Sequence, residues 1–208
     1  ILSNFNIPSY SPIGINETRE EYGLHDMIRD LNRIITTLMS LEPEIYIYDL
    51  NSFVTKFGEN NIFDYKQYFY GDVRISLDYI PYLAEELMGY VKAVLGLNKK
   101  CIVLDLDNTL WGGIVGEDGF NKIKLGPQPP GNTYVEFQKY LLALHERGII
   151  LAVNSKNNLE DAIQVIKEHP NMILREKHFG CLKINWNDKV TNLKSIAQEL
   201  NIGLDSMV

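Results

Sequence analysis

The sequence has few of the features that mark secreted, membrane-spanning or nucleic-acid-binding proteins. Only two of its 208 residues are cysteines, Cys101 and Cys181, and neither lies in a CxxC pair, so a disulfide framework is not expected and a reduced, cytoplasmic environment is predicted. No apolar run approaches the roughly 20 residues that a membrane-spanning helix needs, and no signal-peptide pattern is found at the start. The formal net charge of −7 argues against a broad basic face. Neither a nucleic-acid partner nor a membrane partner is therefore expected.

Metal-binding histidine clusters and repeats are also lacking. The four histidines share no metal-ligand spacing, so no zinc site is predicted. There is no internal repeat and no low-complexity tract. With 45% hydrophobic and 23% charged residues, the chain is long enough to bury a sizeable core in one large domain or two small ones.

The first half of the chain begins with a helical pattern. Apolar residues at helical spacing predict an amphipathic helix over residues 22–40, and its apolar stripe is expected to be core. That stripe comprises Leu24, Met27, Ile28, Leu31, Ile34, Ile35 and Leu38. A short strand is predicted over residues 44–50, followed by a long, aromatic-rich irregular connection over residues 57–76.

A second helix is expected to end this half. Asp78 is predicted to cap it, Pro81 lies in its first turn, and Gly96 marks its end. The boundary between two domains, residues 1–97 and 98–208, is placed at this point. The chain starts at Ile1 and ends with "GLDSMV", where a further strand is expected to open, so residues 1–208 are expected to be part of a longer protein.

The second half alternates strands and helices, which predicts a parallel sheet. The predicted elements are a strand buried on both faces over residues 101–105, a helix over 134–148, a strand over 149–153, a helix over 159–169, a short strand over 172–174 and a helix over 189–200. Ligands bind beyond the carboxyl ends of strands in such sheets. Asp105, Asp107, Ser155 and Lys156 all fall at that edge.

The stretch "KCIVLDLDNTLWGG" places two aspartates one residue apart at the end of a buried strand. Two such carboxylates repel, and a magnesium ion bound by Asp105 and Asp107 would offset the repulsion, since Mg²⁺ prefers hard oxygen ligands. The pair suits phosphoryl transfer, in which one carboxylate attacks phosphorus and the other acts as acid and then base. The candidate substrate-binding residues are Asn108, Thr109, Trp111 and Lys156. The "WGGIVGEDG" segment is expected to form a β-hairpin flap over the site.

Each assignment has a structural alternative. The two aspartates can belong to a strand-end turn with solvated carboxylates. Ser155 can cap the following helix, as can Asn157 or Asn158. Lys189 can be a solvated lysine of a first helical turn, and Trp111 can be a packing residue.

These motifs resemble those of a known family. "DLDNT" resembles the DxDxT motif of the haloacid dehalogenase superfamily. The longer "LDLDNTLWGGIVGEDG…IKLG", with "VNSKNN" and "INWNDK", resembles its FkbH-like subfamily over residues 98–208. The resemblance implies an α/β fold: a Rossmann-like haloacid dehalogenase domain with a central parallel sheet and a small β-hairpin flap. Residues 1–97 resemble, more weakly, part of an SGNH-hydrolase-like domain. They lack its GDS and DxxH motifs, so a platform is predicted there.

The resemblance also implies roles for individual residues. Asp105 corresponds to the nucleophile and metal ligand. Asp107 corresponds to the general acid/base, whose backbone carbonyl also binds Mg²⁺. Ser155 corresponds to the hydroxyl that holds the phosphoryl group, and Lys189 to the lysine that bridges nucleophile and phosphate. A last acidic motif is expected after the strand that opens near Met207.

The subfamily implies a specific reaction. FkbH-like proteins take a three-carbon unit from 1,3-bisphosphoglycerate, remove its phosphate and deliver a glyceryl thioester to an acyl carrier protein in polyketide-type pathways. Asn154 stands where some relatives have a cysteine. A plain phosphatase acting on a small or carrier-bound phosphate is therefore an alternative, and a non-catalytic scaffold that binds a partner protein is a third hypothesis.

Overall fold

The computed structural model describes residues 1–208, which divide into two compact units, Ile1–Gly96 and Leu97–Val208. Each unit has its own hydrophobic core. None of the helices combines the length and the apolarity needed to cross a membrane.

The first unit is mainly helical. Its only sheet pairs two short parallel strands, β1 (Leu2–Ser3) and β2 (Ile47–Tyr48). Its helices are α1 (Leu24–Met39), α2 (Leu50–Phe57), α3 (Glu59–Ile62), α4 (Tyr65–Gly71) and α5 (Ile80–Val94).

The prediction of an irregular connection over residues 57–76 is wrong, because α3 and α4 lie within this segment. Gly58, with a φ of 89°, separates α2 from α3. The side chain of Asp64 caps α4 by accepting hydrogen bonds from the amides of Lys66 and Gln67. Asp78 does not cap α5: it lies in a 3₁₀ turn, Leu77–Tyr79, although Pro81 is in the first turn of α5 as predicted.

The core of the first unit forms around α2 and α3. It consists of Tyr48, Phe53, Val54 and Ile62. The stripe of α1 was expected to be core, but this prediction is wrong, since no residue of α1 is buried. Ile34 is 49% exposed and Leu38 is 53% exposed.

The second unit is built on three parallel strands. They are β3 (Cys101–Leu104), β4 (Ile150–Ser155) and β5 (Phe179–Ile184), in the order β3-β4-β5. Its helices are α6 (Val115–Asp118), α7 (Gly131–Glu146), α8 (Leu159–Glu168) and α9 (Lys189–Leu200). Residues of α7 and α8 pack in one core cluster with Leu151 and Val153, whereas Ile196 of α9 packs in another with Cys101 and Ala152.

The third strand lies later in the chain than predicted. Residues 172–174 form no strand; instead, the amides of Ile173 and Leu174 donate hydrogen bonds to the buried side chain of Gln138. Met172 and Leu174 are buried as loop side chains, which explains why their apolar run suggested a strand.

The strand β3 has backbone partners on both edges. One edge pairs with β4, from Cys101↔Ile150 to Leu104↔Val153. On the other edge, the amide of Val103 donates to the carbonyl of Val208 at 2.8 Å, and the amide of Val208 donates to Cys101 at 3.0 Å. This is the arrangement expected of a central strand.

The predicted β-hairpin flap is a loop that contains one helical turn. Gly112 and Lys124 exchange two backbone hydrogen bonds, of 3.0 and 2.7 Å, which close the loop as a single antiparallel bridge. Between them, α6 takes the place of the expected second strand. The loop leaves the sheet at the same edge as Asp105.

Candidate functional site

Asp105 lies at the carboxyl end of β3 and accepts three hydrogen bonds. Its Oδ1 accepts from the Ser155 hydroxyl at 2.6 Å and from the Leu106 amide at 2.8 Å. Its Oδ2 accepts from the Lys189 ammonium at 2.6 Å. Ser155 ends β4 and Lys189 begins α9, so the parallel register brings three strand-end segments to one point.

The electrostatics of this cluster favour an ionised Asp105. Burial by itself would raise the pKa of this carboxyl, but the hydrogen bonds from Lys189, Ser155 and the Leu106 amide outweigh it and lower the pKa below its ordinary value. The Asp105 and Lys189 side chains are 40% and 43% exposed. An ionised carboxylate is thus held at a position that solvent and ligand can reach.

Asp107 lies nearby, but neighbours hold its carboxylate. Its Oδ1 accepts from Trp111 Nε1 at 2.8 Å and from the Val115 amide at 3.1 Å, and its Oδ2 accepts from Asn157 Nδ2 at 2.8 Å. The loop after β3 and the loop after β4 therefore meet at this side chain.

The four candidate substrate-binding residues differ in their positions. Trp111 is fully buried and donates to Asp107, so the prediction that it contacts substrate is wrong. Asn108 is exposed, with a φ of 57°, and accepts a hydrogen bond from the amide of Gly113, which shapes the loop. Thr109 is partly buried in the same loop, and Lys156 is exposed directly after Ser155.

Asn157 and Asn192 are buried residues of this region that the sequence did not single out for the site. The sequence predicts Asn157 only as a helix cap, whereas its side chain donates a hydrogen bond to Asp107. Asn192 bonds to Asn154 and Asn185. The density of asparagines in "VNSKNN" is a signal for Asn157, since buried amides need partners, whereas Asn192 stands alone in "KVTNLK".

A cavity of about 550 Å³ opens beside Asp105. Its polar lining is Asp105, Asn154 and Lys189, and its apolar lining includes Leu193 and Met207. Nowhere in the chain do three or more His, Cys, Asp or Glu side chains form a group that could hold a metal ion.

Comparisons with known proteins show what this chain is similar to. Residues 16–92 match the family model of the FkbH N-terminal domain. Over 99% of its length, the chain is similar to a crystal structure of the N-terminal part of the protein BF1531 from Bacteroides fragilis, which contains a phosphatase domain and is complexed with Mg. The sequence identity is 33% and the TM-score is 0.87, and this chain spans 55% of that one. No curated protein matches the chain.

This similarity confirms the predicted fold class. The protein has an α/β fold, and its parallel sheet and its similarity to a phosphatase domain fit a Rossmann-like haloacid dehalogenase fold. The SGNH-like character of residues 1–97 stays a prediction, since the model that matches there is that of the FkbH N-terminal domain.

Proposed function

We propose that the protein is a magnesium-dependent phosphatase that forms an aspartyl-phosphate on Asp105. The observation that carries this proposal is the convergence of Ser155 and Lys189 on the Asp105 carboxylate, at 2.6 Å each. A hydroxyl and an ammonium beside an ionised carboxylate can bind the oxygens of a phosphoryl group while the carboxylate attacks its phosphorus.

The reaction has two steps. In the first, an oxygen of Asp105 forms a bond to phosphorus, the ester bond breaks, and Asp107 gives a proton to the leaving oxygen. In the second, Asp107 takes a proton from a water molecule as that water attacks phosphorus, which releases inorganic phosphate and regenerates Asp105. Lys189 and Ser155 hold the phosphoryl oxygens throughout.

The residues present fit a magnesium ion. The Oδ2 atom of Asp105 has one hydrogen-bond donor and keeps a free lone pair. The Asp107 carboxylate is held by three donors, so the backbone carbonyl of Asp107 is the better second ligand, and both are the hard oxygen donors that Mg²⁺ prefers. When bound, the ion would neutralise charge on the phosphoryl group. The match to a structure complexed with Mg supports this assignment.

The test is phosphate release from p-nitrophenyl phosphate with Mg²⁺. Asp105→Asn should reduce kcat by about 10³-fold or more, because a neutral amide of similar size cannot attack phosphorus. A matched control is Asp30→Asn on α1, where the carboxylate bonds to an exposed Arg33. Activity of Asp105→Asn close to that of the control, or wild-type activity that EDTA leaves unchanged, would contradict the proposal. An inactive wild type would favour a non-catalytic scaffold.

The match to the FkbH N-terminal domain favours a second candidate function, the transfer of a glyceryl unit from 1,3-bisphosphoglycerate to an acyl carrier protein. Its thioester step needs an accessible thiolate. Cys101 and Cys181 are buried, and burial raises the pKa of the Cys181 thiol to about 11. Neither cysteine suits that role, so the hydrolytic reaction is our first choice. Mass spectrometry of the carrier protein after incubation with 1,3-bisphosphoglycerate would detect the transfer.

A further inference from the structure

Three asparagines link the ends of two strands to the start of the last helix. We call Asn154, Asn185 and Asn192 the asparagine network. Asn192 Nδ2 donates to Asn154 Oδ1 at 3.2 Å and to Asn185 Oδ1 at 3.0 Å, and Asn185 Nδ2 donates back to Asn192 Oδ1 at 3.4 Å. Asn154 and Asn192 are 5% and 4% exposed. Buried amides are costly unless they are paired, so the network requires these partners.

The network ends on the backbone of Lys189. Asn154 Nδ2 donates to the Lys189 carbonyl at 2.9 Å, while the ammonium of the same residue reaches Asp105 at 2.6 Å. A lysine side chain is long and flexible, so the reach of its ammonium depends on where its backbone is held. Asn154 holds that backbone against the end of β4.

Asn192 controls the orientation of Asn154. Because Asn192 donates to the amide oxygen of Asn154, the amide nitrogen of Asn154 faces the Lys189 carbonyl. The backbone N–H of Asn185 also donates to the carbonyl of Ser155 at 3.1 Å, so the chain at one member of the network is bonded to the residue that carries the site hydroxyl.

We propose that Asn154 and Asn192 are positioning residues that set the place of Lys189 relative to Asp105. This inference rests on the proposed phosphatase function and deepens it. It assigns a role to two buried amides, which is to align the Lys189 ammonium with the phosphoryl group. Neither side chain makes a hydrogen bond to Asp105, so both act through Lys189.

The kinetic test is a double-mutant cycle that combines Asn192→Ala with Lys189→Met. In the wild-type background, Asn192→Ala should lower kcat by about 10- to 100-fold and change KM little, since small misplacements of a catalytic group are costly. In the Lys189→Met background it should have no further effect. An equal loss of kcat in both backgrounds, or none in either, would overturn the proposal.

Two further variants separate positioning from loss of stability. Asn154→Asp keeps the size of the side chain but replaces the donor to Lys189 with an acceptor, so it should lower kcat as Asn192→Ala does. Asn201 follows the other end of α9 and has a φ of 51°, which alanine adopts only with strain. The Asn201→Ala substitution therefore destabilises that end of the helix without contacting Lys189. It should keep wild-type kcat, and a loss equal to that of Asn192→Ala would overturn the proposal.

A crystal structure of Asn192→Ala gives a readout that does not depend on turnover. The bond between Lys189 Nζ and Asp105 Oδ2 should be lost or lengthened, and an unchanged bond would overturn the positioning role. If the wild type has no phosphatase activity, the proposed function fails. The distance between Lys189 Nζ and Asp105 Oδ2 in the variant still decides whether the network positions Lys189.

Discussion

At the scale of single residues, three donors orient the Asp107 carboxylate: Trp111, Val115 and Asn157. Loss of the Asn157 amide should let the carboxylate rotate away from the leaving oxygen. We therefore expect Asn157→Ala to lower kcat by roughly 10-fold with little change in KM, because the substitution removes orientation and no phosphate contact. Steady-state kinetics with p-nitrophenyl phosphate measure both values.

The neighbouring residue provides the control for this prediction. Asn158 is exposed and donates only to Asp161, so Asn158→Ala should keep wild-type kcat. If the two variants have the same kcat, Asn157 does not orient Asp107.

The residues of the candidate site differ in how far the sequence predicts them. Asp105, Ser155 and Lys189 stand next to strand ends or at a helix start within recognisable motifs, so their convergence follows from a parallel sheet. Asp107 lies 50 positions from Asn157, and Asn154 lies 38 positions from Asn192. Asparagine is also common in turns and caps, so the residue type does not indicate a buried network. The sequence leaves both packing and substrate contact open for Trp111, because an aromatic residue beside the DxDxT-like motif can face either the core or the site.

At the scale of elements, the start of α7 depends on a close backbone approach. A Cβ atom at Gly131 would lie 2.8 Å from the Gly126 amide nitrogen and 3.1 Å from that of Leu125. Because backbone atoms cannot move aside as a flexible side chain can, Gly131→Ala should lower the free energy of unfolding by about 1–3 kcal/mol. Urea denaturation followed by circular dichroism measures this change.

Gly116 in α6 is the matched control. Nothing lies within 4 Å of the position of its Cβ, and alanine favours a helix, so Gly116→Ala should leave stability unchanged or raise it by about 0.5 kcal/mol. Equal stabilities of the two variants would show that the backbone around residue 131 accommodates a Cβ atom without a loss of stability.

The elements that the sequence predicts well have long, regular patterns. The helices α8 and α9 lie within one residue of the predicted bounds, since their apolar residues repeat over three turns and Asp188 caps α9 through its side chain. The helices α2 to α4 have four to eight residues, too few to show a period. The strand β5, "FGCLKI", contains a glycine and a lysine, which weaken its strand pattern.

At the scale of the whole molecule, folding lowers the pKa of several carboxyl and imidazole groups and raises the pKa of the two thiols. Hydrogen bonds from neighbours outweigh burial and lower the pKa of five carboxyls: Glu17, Asp49, Glu86, Asp105 and Glu199. Burial lowers the pKa of His169 and His178 below the ordinary 6.5. It also raises that of Cys101 and Cys181 above the ordinary 9.0.

The pH dependence of stability follows from these directions. As pH falls below 6.5, the two histidines bind fewer protons in the folded protein than in the unfolded chain. The carboxyls behave in the same way as pH falls through their ordinary pKa values of 4.5 and 3.8. Stability is therefore lost on acidification in both windows. Above 9.0 the unfolded thiols ionise while the folded ones stay protonated, so stability falls again towards alkaline pH.

We expect the free energy of unfolding to be greatest between about pH 7 and 9 and to decline on either side. Urea denaturation at a series of pH values at constant ionic strength measures it. A rise in stability between about pH 7 and 5 would contradict the assignment of lowered histidine pKa values.

The bonds that Asp105 makes to Ser155 and Lys189 also bear on the order of events in folding. They join residues 50 and 84 positions apart in the chain. Contacts over such separations form late, because each closes a long loop and needs the parallel strands to be aligned first. A newly made chain therefore acquires its strands and helices before the three side chains meet. The proposed phosphoryl transfer would therefore need a fully assembled sheet, and we expect partly folded molecules to be inert towards phosphate esters.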